Sequence, residues 1–318
     1  MVTAFPAQHD FPCGWRASRI SKNESRRTGD ANFALEKRIP ETQADVTGLQ
    51  ERHFERMATH TKNWFKDILH TVAFFGAFLL FAVVGALVSV LCVLPAMLFY
   101  GRRVRFFGQR LIHRLFRIFF GYTRMFGLVE VDASELSGLR QCEGLIVVAN
   151  HPCLLDAVLM VAQMPRAVCL MKGSLARNII FSGTARLAGY IHNKSSLGLV
   201  KKCEERLKEG TNLLVFPEGT RTVGGKLMPF KMGFALAAVS TGSPVQAVFI
   251  SANSHCLGKG RPLLQRQTFP LRYSLRLGER FVPALGEDAK SFGGRVENYF
   301  QEKLSRSAKK TVSAALAP

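Results

Sequence analysis

The chain has 318 residues, 47% of them hydrophobic, with 43 Lys and Arg against 23 Asp and Glu and a formal net charge of +20. That apolar content excludes a chain disordered throughout, and the length suffices for one large domain or two modest ones. So strong a basic excess points to a negatively charged partner, either nucleic acid or an anionic membrane surface.

Residues 1–60 are polar, mixed in charge and punctuated by Pro6, Pro12, Gly14, Gly29, Pro40 and Gly48. They are expected to form a disordered tail with at most a short helix near Leu49–Met57, and Met57 is a second candidate start. Residues 64–126 are expected to hold the membrane-anchoring helices. From Ile68 to Gly101 there is no Asp, Glu, Lys or Arg. The apolar run Val72–Phe99 is long enough to span a bilayer core with tilt or a kink at Pro95, and a re-entrant hairpin is the alternative. Seven arginines follow, at 102, 103, 105, 110, 114, 117 and 124, with Phe106, Phe107, Phe116, Phe119, Phe120 and Phe126 among them. Arg110, Arg114 and Arg117 recur at helical spacing, as do Leu111, Leu115 and Ile118. This pattern predicts a helix lying in the membrane interface, although a solvated face on a soluble helix has the same spacing. The arginines place the C-terminal side in the cytosol by the positive-inside rule.

Residues 127–305 read as an α/β layered domain: a mostly parallel or mixed central sheet flanked by helices. Strands are expected at Leu145–Ala149, Ala167–Met171, Leu213–Phe216 and Val245–Ile250. A half-exposed strand near the sheet edge is expected at Arg272–Leu277. Helices are expected at Pro152–Gln163, Ser174–Leu187, Ser196–Glu209, Met232–Ser240 and 287–305. Residues 306–318 read as a flexible basic tail.

Two segments carry chemistry. Asn150-His151-Pro152-Cys153-Leu154-Leu155-Asp156 falls where a buried strand turns into a helix, the usual place for an α/β active site. A histidine serves as a general base near neutral pH, and a carboxylate orients its other ring nitrogen. His151 and Asp156 are the candidate pair, against the plainer reading of a satisfied, half-buried histidine. Phe216-Pro217-Glu218-Gly219-Thr220-Arg221 follows the next buried strand, and such a string arises by chance only on the order of 10⁻⁵ in this composition. It has the parts of an anion site. Gly219 allows close backbone approach, Thr220 supplies a hydroxyl and Arg221 grips phosphate with two donors. Glu218 is expected to hold a substrate hydroxyl or to pair with Arg221.

Other chemistries find no support. The seven cysteines contain no Cys-x-x-Cys pair, which argues against a zinc site or disulfide framework. The chain has no Gly-x-Ser-x-Gly elbow, no Walker loop, no Gly-x-Gly-x-x-Gly and no His-Glu-x-x-His. The main arginine cluster is interleaved with Phe beside an apolar run, which favours lipid phosphate over nucleic acid.

Asn-His-x-x-x-x-Asp followed by Phe-Pro-Glu-Gly-Thr-Arg resembles the glycerolipid acyltransferases, among them the 1-acylglycerol-3-phosphate acyltransferases. The likeness covers about Leu128 to Phe281. It implies that His151 deprotonates an acceptor hydroxyl, which attacks the thioester of acyl-CoA or acyl carrier protein, while Asp156 orients His151. It also implies substrate binding by Asn150, Lys172, Glu218, Gly219, Thr220 and Arg221. No metal or resident cofactor is expected. Lys172-Gly173-Ser174-Leu175 and Gly189-Tyr190-Ile191 look like the family's second block, and Pro244-Val245 like the start of its fourth. Two positions depart from the pattern: His192-Asn193-Lys194 stands where the second block usually reaches an Arg, and Ala247 where the fourth usually has a Pro. The departures resemble a divergent bacterial branch tied to specialised lipids of aryl-polyene or ornithine type, so a different acceptor is the main alternative. A non-catalytic lipid-binding protein is the second. The implied partners are membrane lipids and the acyl donor, the implied location the bacterial inner membrane, with the site on the cytoplasmic side.

Overall fold

The computed structural model describes residues 68–92, 98–99, 101–172, 182–193, 196–222, 227–253 and 269–315. All belong to one unit, Phe65–Pro318. The expected N-terminal tail, Pro95, Gly173–Leu175 and Lys194 lie outside the described residues.

Seven strands form one sheet in the order β1-β7-β6-β2-β5-β3-β4. They are β1 (Val129–Asp132), β2 (Ile146–Ala149), β3 (Ala167–Lys172), β4 (Ile191–Asn193), β5 (Asn212–Val215), β6 (Val245–Ala252) and β7 (Leu271–Phe281). β6, β2, β5, β3 and β4 run parallel; β7 returns antiparallel to β6, and β1 pairs with β7 in parallel. The sheet is mixed, as expected. β2 and β5 are buried at every position because helices cover both faces, which is why Ile146–Ala149 and Leu213–Val215 are continuously apolar.

On one face lie α1 (Ile68–Cys92), α2 (Arg102–Met125) and α3 (Asp156–Val161), over a core containing Val147, Ala149, Leu159 and Leu214. On the other lie α5 (Ser196–Lys208), α6 (Gly233–Thr241) and α7 (Ala289–Ala315), over Ile146, Val148, Leu213, Phe234 and Phe292. Alternate residues of β2 thus feed opposite cores, the two-residue period of a strand.

α1 is long and apolar enough to cross a membrane, with mean hydropathy 2.6 over its most apolar 18 residues, of which 17% are buried. Its inner side runs along α2: Phe78 and Phe81 meet Phe119, Phe81 meets Phe116, and Val88 and Cys92 cluster with Val104 and Leu111. Later residues of α1 meet earlier residues of α2, so the two form an antiparallel hairpin. The hairpin is fastened to the domain at both ends. Phe74 is 1% exposed and packs on Phe269. At the far end, Ser89 Oγ accepts hydrogen bonds from the N–H groups of Gly183 (2.6 Å) and Thr184 (3.4 Å) at the start of α4 (Ser182–Ala188). Gly108 of α2 lies against the Leu187–Ala188 backbone so closely that a Cβ there would meet Ala188 N at 2.7 Å.

The structure departs from the expectations in five places. β1, too short and too mixed in polarity to stand out, adds outside β7, which stays near the sheet edge as expected. β4, three residues long, was likewise not expected. A 3₁₀ segment covers Ser134–Arg140. α3 starts at Asp156 instead of Pro152, because residues 152–155 form the turn that folds Asp156 back onto His151. α7 continues to Ala315, ten residues into the expected tail.

Candidate active site

β2 and β5 are neighbours, yet the chain leaves them in opposite directions. From β2 it passes β5 to reach β3, and from β5 it passes β2 to reach β6. Such a reversal opens a crevice at the carboxyl ends of the two strands, where α/β proteins bind ligands. The two motifs meet there.

His151 is two residues beyond β2, its side chain 17% exposed. Its Nδ1 lies 2.9 Å from Asp156 Oδ2, which also accepts the Cys153 N–H at 2.6 Å. A carboxylate can only accept, so Nδ1 donates and the lone pair of the neutral ring is on Nε2. Asp156 is 0% exposed, and its Oδ1 is buried with no hydrogen-bond partner among the described residues. Burial pushes the Asp156 carboxyl above its ordinary range, opposed by the hydrogen bonds from His151 and Cys153. The Phe216 ring stacks on the imidazole, with centroids 4.3 Å apart and planes inclined by 25°. Carboxylate and phenyl together fix the ring's orientation.

The loop after β5 is tied to His151 on both sides. Glu218 Oε1 accepts the His151 backbone N–H at 3.2 Å, and the Thr222 N–H donates to the His151 carbonyl at 2.8 Å. Glu218 also accepts from Thr222 Oγ1 (2.9 and 3.1 Å) and from the Met228 N–H (3.1 Å). The carboxylate is 4% exposed. Its oxygens are occupied by the protein, so the expectation of a hydroxyl-binding or Arg221-pairing Glu218 gives way to an internal brace. Asn150 is corrected in the same way. Its Nδ2 donates to the Ile250 carbonyl and its Oδ1 accepts the Ile250 N–H, both at 2.8 Å, so its amide stitches β2 to β6 instead of meeting a substrate.

Gly219 has φ +65°, a left-handed conformation that favours glycine, and its N–H closes a turn onto the Phe216 carbonyl at 3.0 Å. Gly219 is exposed, and Thr220 and Arg221 are half-exposed. Lys172 ends β3, in register with Asn193 and at the same end of the parallel strands as His151. Sequence reasoning gave no role to Phe216, inside the second motif, and passed over Thr222, just beyond it, and Lys231. The peptide N–H of Lys231 donates to the Pro217 carbonyl at 2.9 Å. None of these contacts has a sequence signal, because each depends on how the loop closes.

The arrangement offers a base, its orienting acid and an exposed Gly-Thr-Arg loop beside it, and among the described residues no cluster could hold a metal ion. The model of a family described as acyltransferases matches residues 130–251. A 1-acyl-sn-glycerol-3-phosphate acyltransferase from Helicobacter pylori is 31% identical over 165 residues, covering 50% of this chain and 68% of the relative. Its human counterpart beta is 29% identical over 153 residues, 44% of this chain and 51% of the relative. Among solved structures, the 1-acyl-sn-glycerophosphate acyltransferase PlsC from Thermotoga maritima matches with TM-score 0.57 and 24% identity, covering 77% of this chain and 97% of that one. The fold and the relatives are thus those of an acyltransferase. The chain belongs to the 1-acylglycerol-3-phosphate acyltransferase-like family.

Proposed function

We propose that this enzyme transfers an acyl group from a thioester, either acyl-CoA or acyl carrier protein, to the free hydroxyl of a lysophospholipid of the 1-acylglycerol-3-phosphate kind. The observation that carries the reading is the Asp156-oriented His151 beside an exposed Gly219-Thr220-Arg221 loop. His151 Nε2 takes the hydroxyl proton as the oxygen attacks the thioester carbonyl. The new C–O bond gives a tetrahedral oxyanion. Its collapse breaks the C–S bond, and the imidazolium returns the proton to the leaving thiolate. Asp156 holds the ring in the tautomer this requires and stabilises the imidazolium. Arg221 is assigned to the acceptor phosphate, which it can grip with two donors.

The hairpin supports work at a membrane surface, with α1 lying along the bilayer instead of crossing it. α1 and α2 run side by side over most of their length. Exposed Arg102, Arg103, Arg110, Arg114, Arg117 and Arg124 are spread along all of α2. A crossing α1 would carry some of these into the hydrocarbon, at about 2.5–3.5 kcal/mol each near the centre. Laid flat, the hairpin offers Leu79, Leu80, Val83, Leu87 and Leu91 to acyl chains and its arginines to headgroup phosphates.

The test uses membranes containing the protein, with His151→Ala as control, labelled acyl-CoA or acyl carrier protein as donor, and a panel of lysolipids read by mass spectrometry. A His151-dependent phosphatidic acid product supports the proposal. A His151-dependent product from another acceptor only would move the function to a specialised lipid. No His151-dependent product with any pair would overturn the catalytic reading.

A further inference from the structure

The loop after β5 holds a second cation that neither motif contains. A Cβ placed on Gly219 would meet Lys231 Nζ at 2.8 Å, Cε at 3.0 Å and Cδ at 3.3 Å. The lysine tail therefore lies across the bare face of Gly219, with the ammonium above the turn, two residues before Arg221. The Lys231 backbone is held there by its N–H bond to the Pro217 carbonyl. No carboxylate pairs with Lys231 among the described residues. Glu218, its nearest acid along the loop, is buried and committed to His151, Thr222 and Met228.

An ammonium brought over the turn of an Arg-bearing loop and left without a counter-charge is a binding element for an anion. We infer that Lys231 is a specificity-determining residue, the second cation on the acceptor's phosphate monoester. Arg221 supplies the planar, two-donor grip, and Lys231 a mobile point charge against the remaining oxygens. Gly219 is then glycine for two reasons: its positive φ, and the space its missing side chain leaves for the lysine. The inference rests on the proposed reading of this loop as a phosphate subsite. It adds the preference for a phosphorylated over a neutral lysolipid, which the His151–Asp156 pair cannot supply.

The test compares the full-length enzyme with Lys231→Gln and Lys231→Arg, using 1-acylglycerol-3-phosphate and monoacylglycerol as acceptors. Lys231 is exposed, so neither change disturbs the core. Lys231→Gln should raise KM for the phosphate acceptor roughly 10- to 100-fold, the span of one charge-assisted hydrogen bond. It should leave kcat, the donor KM and the KM for monoacylglycerol little changed, and Lys231→Arg should restore most of the loss. An unchanged KM for the phosphate acceptor, an equal rise for both acceptors, or a rise confined to the donor would overturn the inference. If the wild type acylates only some other acceptor, the proposed substrate fails and the lysine is tested separately. Glycerol 3-phosphate and inorganic phosphate then serve as inhibitors of that reaction. Inhibition weakened at least about tenfold in Lys231→Gln supports the site, and the stronger inhibitor tells headgroup from free phosphate. No inhibition, or equal inhibition of both proteins, overturns it.

Discussion

The carboxylate of Glu218 accepts a hydrogen bond from the backbone N–H of His151 across the crevice between β2 and β5. The acid of one motif therefore positions the base of the other. Its remaining bonds hold Thr222 and Met228, so a single buried side chain sets the shape of the loop.

Glu218→Ala leaves two backbone N–H groups without their acceptor. Each lost bond to a buried charged group costs about 1–3 kcal/mol, so a fall in melting temperature of several degrees is expected. Steady-state kinetics should show kcat falling further than the acceptor KM rises, because the base is misplaced while the cations remain. A variant with normal kcat and only a raised KM would return Glu218 to direct substrate binding.

Asp156→Asn separates chemistry from stability. Activity should drop on the order of 10³- to 10⁴-fold, because the amide neither fixes the tautomer nor stabilises the imidazolium. Stability should move the other way. Burial raises the Asp156 pKa in the folded state, so between the unfolded and folded values the folded chain binds more protons. Stability from this group is then lost as pH rises through that window. Asp156→Asn should melt higher than the wild type at pH 8, with the gain shrinking as pH falls. The wild type should also lose activity on the acid side at a pH above the ordinary carboxylate range. Scanning calorimetry and a pH–rate profile check both signs.

Cys153 lies between the catalytic pair in sequence, yet it is expected to be inert. It is 1% exposed, its Sγ sits 3.0 Å from Tyr273 Oη, and burial pushes its thiol up to about 11. Among the described cysteines, iodoacetamide at pH 7.5 should label half-buried Cys142 first and leave Cys153 intact, as read by peptide mass spectrometry. Early labelling of Cys153 with loss of activity would make it part of the reactive site.

Fluorescent probes on α1 test its lie in the bilayer. Placed at Leu79 and Leu91, they should be quenched to similar, shallow depths by lipids brominated at different positions. A helix that crosses would put the two about 18 Å apart along the normal, at 1.5 Å per residue. Arg110→Glu with Arg114→Glu should weaken binding to anionic vesicles, and the loss should shrink at high salt.

The His151–Asp156 pair was readable because its partners are five residues apart around one turn. The strands β2, β3, β5 and β6 were readable because burial on both faces makes them largely apolar. β1 and β4 were not, since three or four residues of mixed polarity carry no periodic signal. Asn150 and Glu218 drew substrate-binding expectations because polar side chains inside motifs suggest ligands. Their partners, Ile250 for the one and His151, Thr222 and Met228 for the other, are set by the fold, which alone reveals that their capacity is already used. Lys231 was invisible for the same reason.

The bonds that Ser89 Oγ accepts from Gly183 and Thr184, with Phe74 seated on Phe269, make α1 a wall of the enzyme as well as its proposed hold on lipid. A shortened protein beginning at α2 would strip the start of α4 of its side-chain acceptor and open the core beside Phe269. It would gain water solubility and lose shape together. Exchanging α1 for an unrelated apolar helix would restore attachment to the bilayer without restoring that wall. Preparations of this enzyme should therefore keep the helix and supply detergent or lipid for its outer face.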